Sequence, residues 1–160
     1  MPPQLVSIVV PVYNQARYLP ACLDALWFQD YPELEVLVVD DGSTDGVAEV
    51  LTDYARALSE DTASFASRYD AGRNVIERVS HPRYPQAGRT LRVLSHGRNR
   101  GLAAALNTGF GAAAGAYCTY IPADDVALPS MIVELAAALT AGADFAYADM
   151  AIVDDAGRWL

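Results

Sequence analysis

The chain contains no lysine, and only two cysteines and two histidines, among its 160 residues. Without lysine it lacks the Gly-Lys-Ser/Thr of a P-loop. Its formal charge of −9, from 20 acidic and 11 basic residues, excludes the broad basic face that nucleic-acid binding requires. Cys22 and Cys118 lie in apolar stretches without metal-type spacing, so we expect buried free thiols and a reducing compartment.

Long hydrophobic runs are also missing. No stretch of about 18 apolar residues is present, so we expect no membrane span. Residues 101–118 come nearest, but Asn107, Thr108 and several glycines interrupt them. Residues 1–4 lack the basic region of a signal peptide. We therefore expect one cytoplasmic domain, with any peripheral attachment to a membrane made through parts outside this chain.

Apolar runs alternate with helical repeats along the chain, which predicts a sheet covered by helices on both faces. Strands are predicted at 5–10, 34–39, 90–94, 116–121 and 143–148, and a hairpin at 150–160. Helices are predicted at 16–28, 46–58, 102–114 and 129–140. Asp45 is the expected N-cap of the second helix, and Pro129 is expected to open the fourth. The predicted fold class is α/β: a Rossmann-like three-layer α/β/α sandwich with a mostly parallel, mixed central sheet.

Residues 59–90 interrupt this alternation. Ser, Asp, Arg, Gly and Pro dominate there, and apolar periodicity is weak. The segment is longer than an ordinary connection in a compact domain. We expect a surface insertion that is partly helical or partly disordered.

Acidic clusters follow two of the predicted strands. Asp40-Asp41-Gly42-Ser43-Thr44-Asp45 comes directly after 34–39, and Asp124-Asp125 follows 116–121. Ligands of open α/β sheets bind outside the carboxyl ends of the strands, near a switch in strand order. Carboxylates at that edge can hold a divalent cation or accept hydrogen bonds from a ribose or a base N–H. Although each cluster alone is commonly a turn or a solvated pair, their joint placement predicts a metal–nucleotide site.

Other phosphate-binding schemes lack their motifs. A dinucleotide-binding turn would need glycines after the first strand, where residues 11–14 read Pro-Val-Tyr-Asn. The glycines of 109–115 are spaced one residue too widely and precede a strand. No Gly-x-Ser-x-Gly elbow is present. His81 and His96 show no ligand spacing, so surface or loop roles are expected for them, and Trp27 is assigned to the core.

Four blocks of sequence resemble the family 2 glycosyltransferases, which have the GT-A fold. Residues 6–14 (VSIVVPVYN) and 38–45 (VVDDGSTD) resemble the family's opening. Residues 99–109 (NRGLAAALNTG) resemble its next block, and 114–125 resembles the block that carries its metal motif. Tyr147-Ala148-Asp149 and the hairpin through Trp159 also fit. The resemblance covers nearly all of the chain except 59–90.

This resemblance implies an inverting hexosyltransferase that uses a nucleotide-diphospho-sugar, commonly UDP-linked, with Mg²⁺ or Mn²⁺. The acceptor would be a glycan or a lipid-linked molecule, as in polysaccharide biosynthesis. By position, Pro11, Tyr13 and Asp41 would line the pocket for the base. Asp40 would help to position that loop, and Arg100 would add positive charge near the phosphates.

The metal motif departs from the family's usual pattern. Asp124 matches its last acid and would bind the cation that bridges the diphosphate, which neutralises charge on the leaving group. The family usually reads Asp-x-Asp-Asp, whereas Pro122 stands here in place of the first acid. We therefore expect weaker or altered binding of donor and metal.

The acceptor half of the family is the second departure. Its catalytic carboxylate lies further along the chain, so we expect the base beyond Leu160, and Asp149 matches an acid of the donor half. Residues 1–160 would then be the donor-binding domain of a longer enzyme. Two alternatives remain: a nucleotidyltransferase, which would have a Gly-rich basic loop after the first strand, and a non-catalytic binding or assembly domain. The sugar, acceptor and oligomeric state stay open.

Overall fold

The computed structural model describes residues 3–60, 64–81, 84–154, 156–158 and 160. Its helices and strands, in chain order, are β1 (Val6–Val12), α1 (Leu19–Trp27), β2 (Leu34–Asp40), α2 (Val47–Ser59), β3 (Ser64–Asp70), β4 (Val75–His81), β5 (Arg89–Ser95), α3 (Leu102–Ala112), β6 (Tyr117–Tyr120) and α4 (Met131–Thr140). The four helices and the first four predicted strands are confirmed, with bounds shifted by three residues or fewer. Among the described residues, no helix has the length and apolarity needed to cross a bilayer.

The central sheet has the strand order β5-β2-β1-β6, and its three pairings are parallel. β1 and β2 are buried along their whole length because they are apolar on both faces. From β1 the chain moves to β2 and β5 on one side, and it later returns to β6 on the other. This reversal is a topological switch point, so a crevice is expected at the carboxyl ends of β1 and β6.

Helices cover the sheet on both faces, which confirms the three-layer fold. One core cluster joins the sheet to α1, α2 and α4 through residues such as Leu23, Leu51 and Ile132. The smaller cluster on the other face joins the sheet to α3 through Ala105. α3 lies very close to the sheet, since a β-carbon on Gly109 would lie 2.3 Å from Val9 Cγ1.

Between the end of α2 at Ser59 and the start of β5 at Arg89, the described residues of the insertion form a β-hairpin and no helix, which corrects the expectation of partial helicity. β3 and β4 pair antiparallel from Ser64–His81 to Asp70–Val75. The segment that follows them contacts the core helices, because Trp27 Nε1 donates a 2.7 Å hydrogen bond to the Pro85 carbonyl. Trp27 itself is 3% exposed, so its assignment to the core is confirmed.

A buried carboxylate on α1 receives the insertion. Asp24 accepts hydrogen bonds from the Tyr84 hydroxyl at 2.8 Å, from Arg78 at 2.5 Å and from the α2 hydroxyl of Tyr54 at 3.1 Å. Burial raises the pKa of Asp24, and these hydrogen bonds only partly offset it. The insertion is therefore held against α1 by polar contacts inside the protein.

Residues 143–148 do not form the predicted strand. The apolar side chains of this segment have no sheet to pack on, and Phe145 and Tyr147 are 78% and 79% exposed. The hairpin that follows is confirmed by hydrogen bonds from Asp154 N to Arg158 O and from Leu160 N to Ile152 O. Asp155 and Trp159, which the prediction included, lie outside the described residues.

Two residues that were predicted to begin helices do not take those positions. The N-cap of α2 is Gly46, and Asp45 instead accepts a 2.9 Å hydrogen bond from the Ala16 backbone N–H. The N-cap of α4 is Ser130, so Pro129 lies before the helix, where its carbonyl accepts a hydrogen bond from Asp30 N. In both cases a long-range contact uses the residue that local sequence assigned to the helix.

Candidate functional site

The loops after β1 and β2 are joined by one asparagine. Asn14 donates its backbone N–H to Ser43 Oγ at 3.0 Å, and its side-chain oxygen accepts from Thr44 N at 2.8 Å. Asn14 has φ +53°, a left-handed conformation that asparagine tolerates better than most residues. The ends of the two central strands are therefore held as one unit.

Asp41 links this unit to the loop after β5. Its carboxylate accepts hydrogen bonds from the backbone N–H groups of Arg100, at 2.9 and 3.0 Å, and Gly101, at 2.7 Å. These amides precede α3, where a helix leaves donors unpaired and favours negative charge. Burial raises the pKa of Asp41, but hydrogen bonds from His96 and from both amides outweigh it and hold that pKa below its ordinary value. Asp41 is therefore a carboxylate at neutral pH.

His96 completes the surroundings of Asp41. Its Nδ1 lies 2.5 Å from Asp41 Oδ1, and its Nε2 lies 2.9 Å from the Thr108 hydroxyl on α3. Only 5% of its side chain is exposed. Of the surface or loop roles expected for His96, the loop position is confirmed, since it lies between β5 and α3, but its side chain is not at the surface. Sequence gave no signal for this contact, because 55 residues separate His96 from Asp41.

The other predicted base-binding residues lie at the same edge of the sheet. Pro11 is buried within β1, and Tyr13, just beyond the strand, is 45% exposed. Asp40 accepts a 2.9 Å hydrogen bond from Ser43 N, and its backbone carbonyl accepts from His96 N at 2.8 Å. Each of these contacts fixes the loop that carries Asp41.

Arg100 reaches this edge through its backbone. Its N–H is bound to Asp41, while its side chain is exposed and makes no ion pair among the described residues. A guanidinium at this position is available to an anion. The direction of that side chain toward a ligand stays a prediction.

The second acidic cluster follows β6, beside β1. Ile121 N donates to Val9 O, and the Pro122 carbonyl then accepts from Asp125 N at 3.0 Å and from Cys22 Sγ at 3.5 Å. Burial and the charge of Asp124 raise the pKa of Asp125. The two carboxylates are therefore close enough to repel each other, and a bound cation would relieve that repulsion.

The described residues contain no group of three or more acidic, His or Cys side chains that could hold a metal ion without other ligands. Mg²⁺ is often held by one or two carboxylates together with phosphate oxygens and water. The exposed pair at 124–125 fits that mode. Asp124 as a metal ligand stays a prediction.

The cysteines divide into two kinds. Cys22 is buried, and burial followed by the charges of Asp125 and Asp124 raises the pKa of its thiol, so it is unreactive. Cys118 is exposed, which corrects the expectation that both thiols are buried. It lies on β6, which pairs on one side with β1 and has no second partner strand among the described residues.

The chain matches one family along almost its whole length. Residues 7–72 and 66–159 match the family described as Glycosyl transferase family 2. The chain is 30% identical over 129 residues to the glycosyltransferase GlyG of Streptococcus pneumoniae, an alignment of 81% of this chain and 33% of GlyG. It therefore spans about a third of that relative.

Solved structures show the same fold. The mannosyltransferase PcManGT from Pyrobaculum calidifontis, in complex with GDP-Man and Mn²⁺, superposes with a TM-score of 0.56 at 29% identity, over 78% of this chain and 28% of that one. Residues 1–349 of Staphylococcus aureus TarS, in complex with UDP-GlcNAc, share the fold with a TM-score of 0.62 at 24% identity, over 86% of this chain and 31% of that one. The chain belongs to glycosyl transferase family 2.

Proposed function

We propose that this chain is the donor-binding part of an inverting glycosyltransferase that transfers a hexosyl group from a UDP-linked sugar to a glycan or lipid-linked acceptor. One observation carries the proposal. The ionised, buried carboxylate of Asp41 is held at the carboxyl end of β2 by the N-terminus of α3, at the edge of the sheet where Tyr13 is exposed. An adjacent acidic pair follows β6, on the other side of β1.

The base would contact Asp41 through an N–H group. An ionised carboxylate offers about four acceptor positions. In this protein three donors use them, since the Arg100 amide is shared between both oxygens. Those donors make four contacts, two on each oxygen, so a base N–H would take the position that the shared Arg100 N–H occupies on one of them. Uracil has one ring N–H beside its carbonyls, and the exposed ring of Tyr13 offers an apolar face next to it.

The diphosphate would lie between Arg100 and the acidic pair. A protein of charge −9 repels a phosphate ligand unless positive charge is supplied locally. The free guanidinium of Arg100 is one source, and a cation on Asp124 is the other. When bound, that cation stabilises the negative charge that develops on the departing nucleoside diphosphate.

The described residues bind and orient the donor, and none of them has a claim to the proton transfer. Inversion by a single displacement needs a base that removes the acceptor hydroxyl proton. Asp149 is exposed in the segment before the C-terminal hairpin and has no hydrogen-bond partner among the described residues. We propose that the catalytic base and the acceptor site lie in a region corresponding to the part of the relatives that this chain does not span. Cytoplasmic location with peripheral membrane attachment belongs to the same proposal.

One observation favours a second candidate function. Pro122 removes an acid from the metal motif, and the described residues hold no complete metal cluster. A family member that keeps the fold for nucleotide binding or assembly, without catalysis, would tolerate that change.

Thermal unfolding with nucleotides tests the proposal. The chain is heated with UDP, GDP, dTDP or NAD, each with and without Mn²⁺; GDP is included because PcManGT binds GDP-Man. A ligand at 100 times its Kd stabilises the folded state by about 2.7 kcal/mol. We expect the largest rise in Tm with UDP plus Mn²⁺, and loss of the Mn²⁺-dependent part in Asp124→Asn.

Asp53→Asn is the matched control, because it makes the same change on the exposed face of α2. It should respond to UDP and Mn²⁺ as the native chain does. If GDP gives the largest rise in Tm, guanine replaces uracil as the nucleobase in this proposal. No rise with any of the ligands would overturn it and leave the non-catalytic assembly function.

A further inference from the structure

The side chain of His96 is only 5% exposed and contacts Asp41 of the candidate donor site directly. The proposed function gives it no role. Other buried polar groups act elsewhere: Asp24 binds the insertion, and Glu35 lies near the opposite, amino ends of the strands. Gln29 joins α1 to the segment before α4. His96 alone of these four touches Asp41.

We propose that His96 is a positioning residue for the nucleotide. It holds the Asp41 carboxylate in the orientation from which it would accept a hydrogen bond from the nucleobase, and Thr108 fixes the imidazole ring in turn. This inference rests on the proposed function, because it assumes that Asp41 accepts a hydrogen bond from the donor base.

The contacts of His96 determine which of its ring nitrogens carries the proton in the neutral ring. A carboxylate only accepts hydrogen bonds, so Nδ1 carries the proton that is donated to Asp41 Oδ1. In the neutral ring Nε2 is then an acceptor, and the Thr108 hydroxyl donates to it across 2.9 Å. Because both nitrogens are engaged, a flip of the ring would break two hydrogen bonds at once.

Three elements meet at this ring. His96 follows β5, Asp41 follows β2, and Thr108 lies on α3. With both the His96 and Asp41 side chains only 5% exposed, water is a poor substitute for the lost partner. Removing the imidazole would take one donor from Asp41 Oδ1 and leave the carboxylate held by the Arg100 and Gly101 amides alone, so that it could rotate more freely. A sugar nucleotide would then have to order this carboxylate when it binds, which lowers the affinity of the protein for that nucleotide.

The partner residue separates orientation from the mere presence of a histidine. Thr108→Val removes the hydroxyl but leaves the His96–Asp41 hydrogen bond possible. If the ring must be held from both sides, this variant also weakens nucleotide binding, though less than the loss of His96. A histidine that only fills space would be insensitive to it.

Isothermal titration of this chain with UDP and Mn²⁺ tests the inference, with Tm measured in parallel. We expect His96→Ala to raise the Kd at least tenfold and Thr108→Val to raise it about threefold. His96→Asn should recover most of the affinity, because its amide N–H can occupy the place of Nδ1–H.

Glu35→Gln is the matched control. It disturbs another buried hydrogen-bonded group, in contact with Ser7, Ala114 and Arg92, near the amino ends of the strands. We expect it to lower Tm while the Kd stays within twofold of the native value. This contrast separates a loss of orientation from a loss of stability.

The two proposals fail differently. If the native chain does not bind UDP, the proposed donor is wrong and the role of His96 falls with it. If the native chain binds UDP and His96→Ala and Thr108→Val bind it equally well, His96 has no positioning role and the donor proposal stands. Should His96→Ala not fold, Thr108→Val still decides the matter, because only a positioning role predicts that it weakens UDP binding.

Discussion

A β-carbon on Gly42 would lie 2.6 Å from the backbone carbonyl carbon of Arg98. Gly42 also has φ +77°, in the left-handed region that other L-residues rarely adopt. The loops after β2 and β5 can therefore approach each other only because residue 42 has no side chain. That approach brings the Arg100 and Gly101 amides within hydrogen-bond distance of Asp41.

Gly42→Ala should separate these two loops. We expect a loss of about 2 kcal/mol or more in the free energy of unfolding, from strained backbone and overpacking together. UDP affinity should fall as well, since Asp41 would lose its amide partners. Urea denaturation and titration with UDP measure the two effects.

Gly97→Ala is the control for that change. Gly97 lies in the β5–α3 loop, and a β-carbon there would meet nothing within 4 Å. It should change stability by less than about 0.5 kcal/mol, as a surface substitution does. Equal losses in the two variants would contradict the close approach of the loops.

Tyr84→Phe tests how the insertion is held against α1. The change removes a hydroxyl that donates to the buried carboxylate of Asp24 and leaves the ring in place. We expect a loss of about 1–3 kcal/mol in the free energy of unfolding, because the buried carboxyl group of Asp24 is left with one donor fewer. Tyr69→Phe, which removes an exposed hydroxyl bonded to Asn74, should cost less. Equal effects would mean that the insertion is held by packing alone.

Local sequence patterns predicted those helices and strands whose own residues are apolar enough to require burial. β1 and β2 are apolar on both faces and are recognisable without any knowledge of their neighbours. Residues 143–148 carry a similar pattern, but a strand also needs a partner, and none of the described strands pairs with them. Sequence cannot report that missing neighbour.

The candidate site was predictable in its carboxylates and not in their surroundings. Asp41 and Asp124 stand out because they directly follow apolar runs. Asn14, His96 and Thr108 act through contacts across 12 to 55 residues, and no spacing rule marks them. The same holds for Asp45, whose local role as a cap was displaced by a distant backbone amide.

Glu35 should make stability depend on pH. Burial raises its pKa, but hydrogen bonds from Ser7, Ala114 and Arg92 outweigh burial and leave the pKa below its ordinary value. The folded state therefore binds this proton less tightly than the unfolded chain does. The resulting stability is fully present above the ordinary pKa of about 4.3 and is lost as the pH falls through the folded-state pKa.

Glu35→Gln removes this contribution. At pH 7 we expect the variant to be less stable by about 1–3 kcal/mol, and the gap to the native chain should narrow as the pH is lowered from 6 to 3. Glu49→Gln, an exposed change on α2, should follow the native curve. Urea denaturation at each pH gives the free energies, and a gap that stays constant across this range would contradict the assignment.

Pro122 offers a direct test of the metal motif. Its backbone carbonyl accepts hydrogen bonds from Asp125 N and Cys22 Sγ. Neither contact involves the proline ring, so both can persist in Pro122→Asp. The new carboxylate would join two acids that already repel each other, as the raised pKa of Asp125 indicates. Without metal we therefore expect Pro122→Asp to lower Tm.

With Mn²⁺ and UDP, the difference in Tm between Pro122→Asp and the native chain should change sign. A third carboxylate adds a ligand for the cation, so the variant should gain more Tm than the native chain and bind Mn²⁺–UDP about tenfold more tightly, equivalent to about 1.4 kcal/mol. Pro122→Ala is the control, because it removes the ring without adding charge. If alanine gives the same gain as aspartate, the effect comes from backbone freedom. Low-micromolar binding of UDP and Mn²⁺ by the native chain would show that the missing acid does not weaken the site.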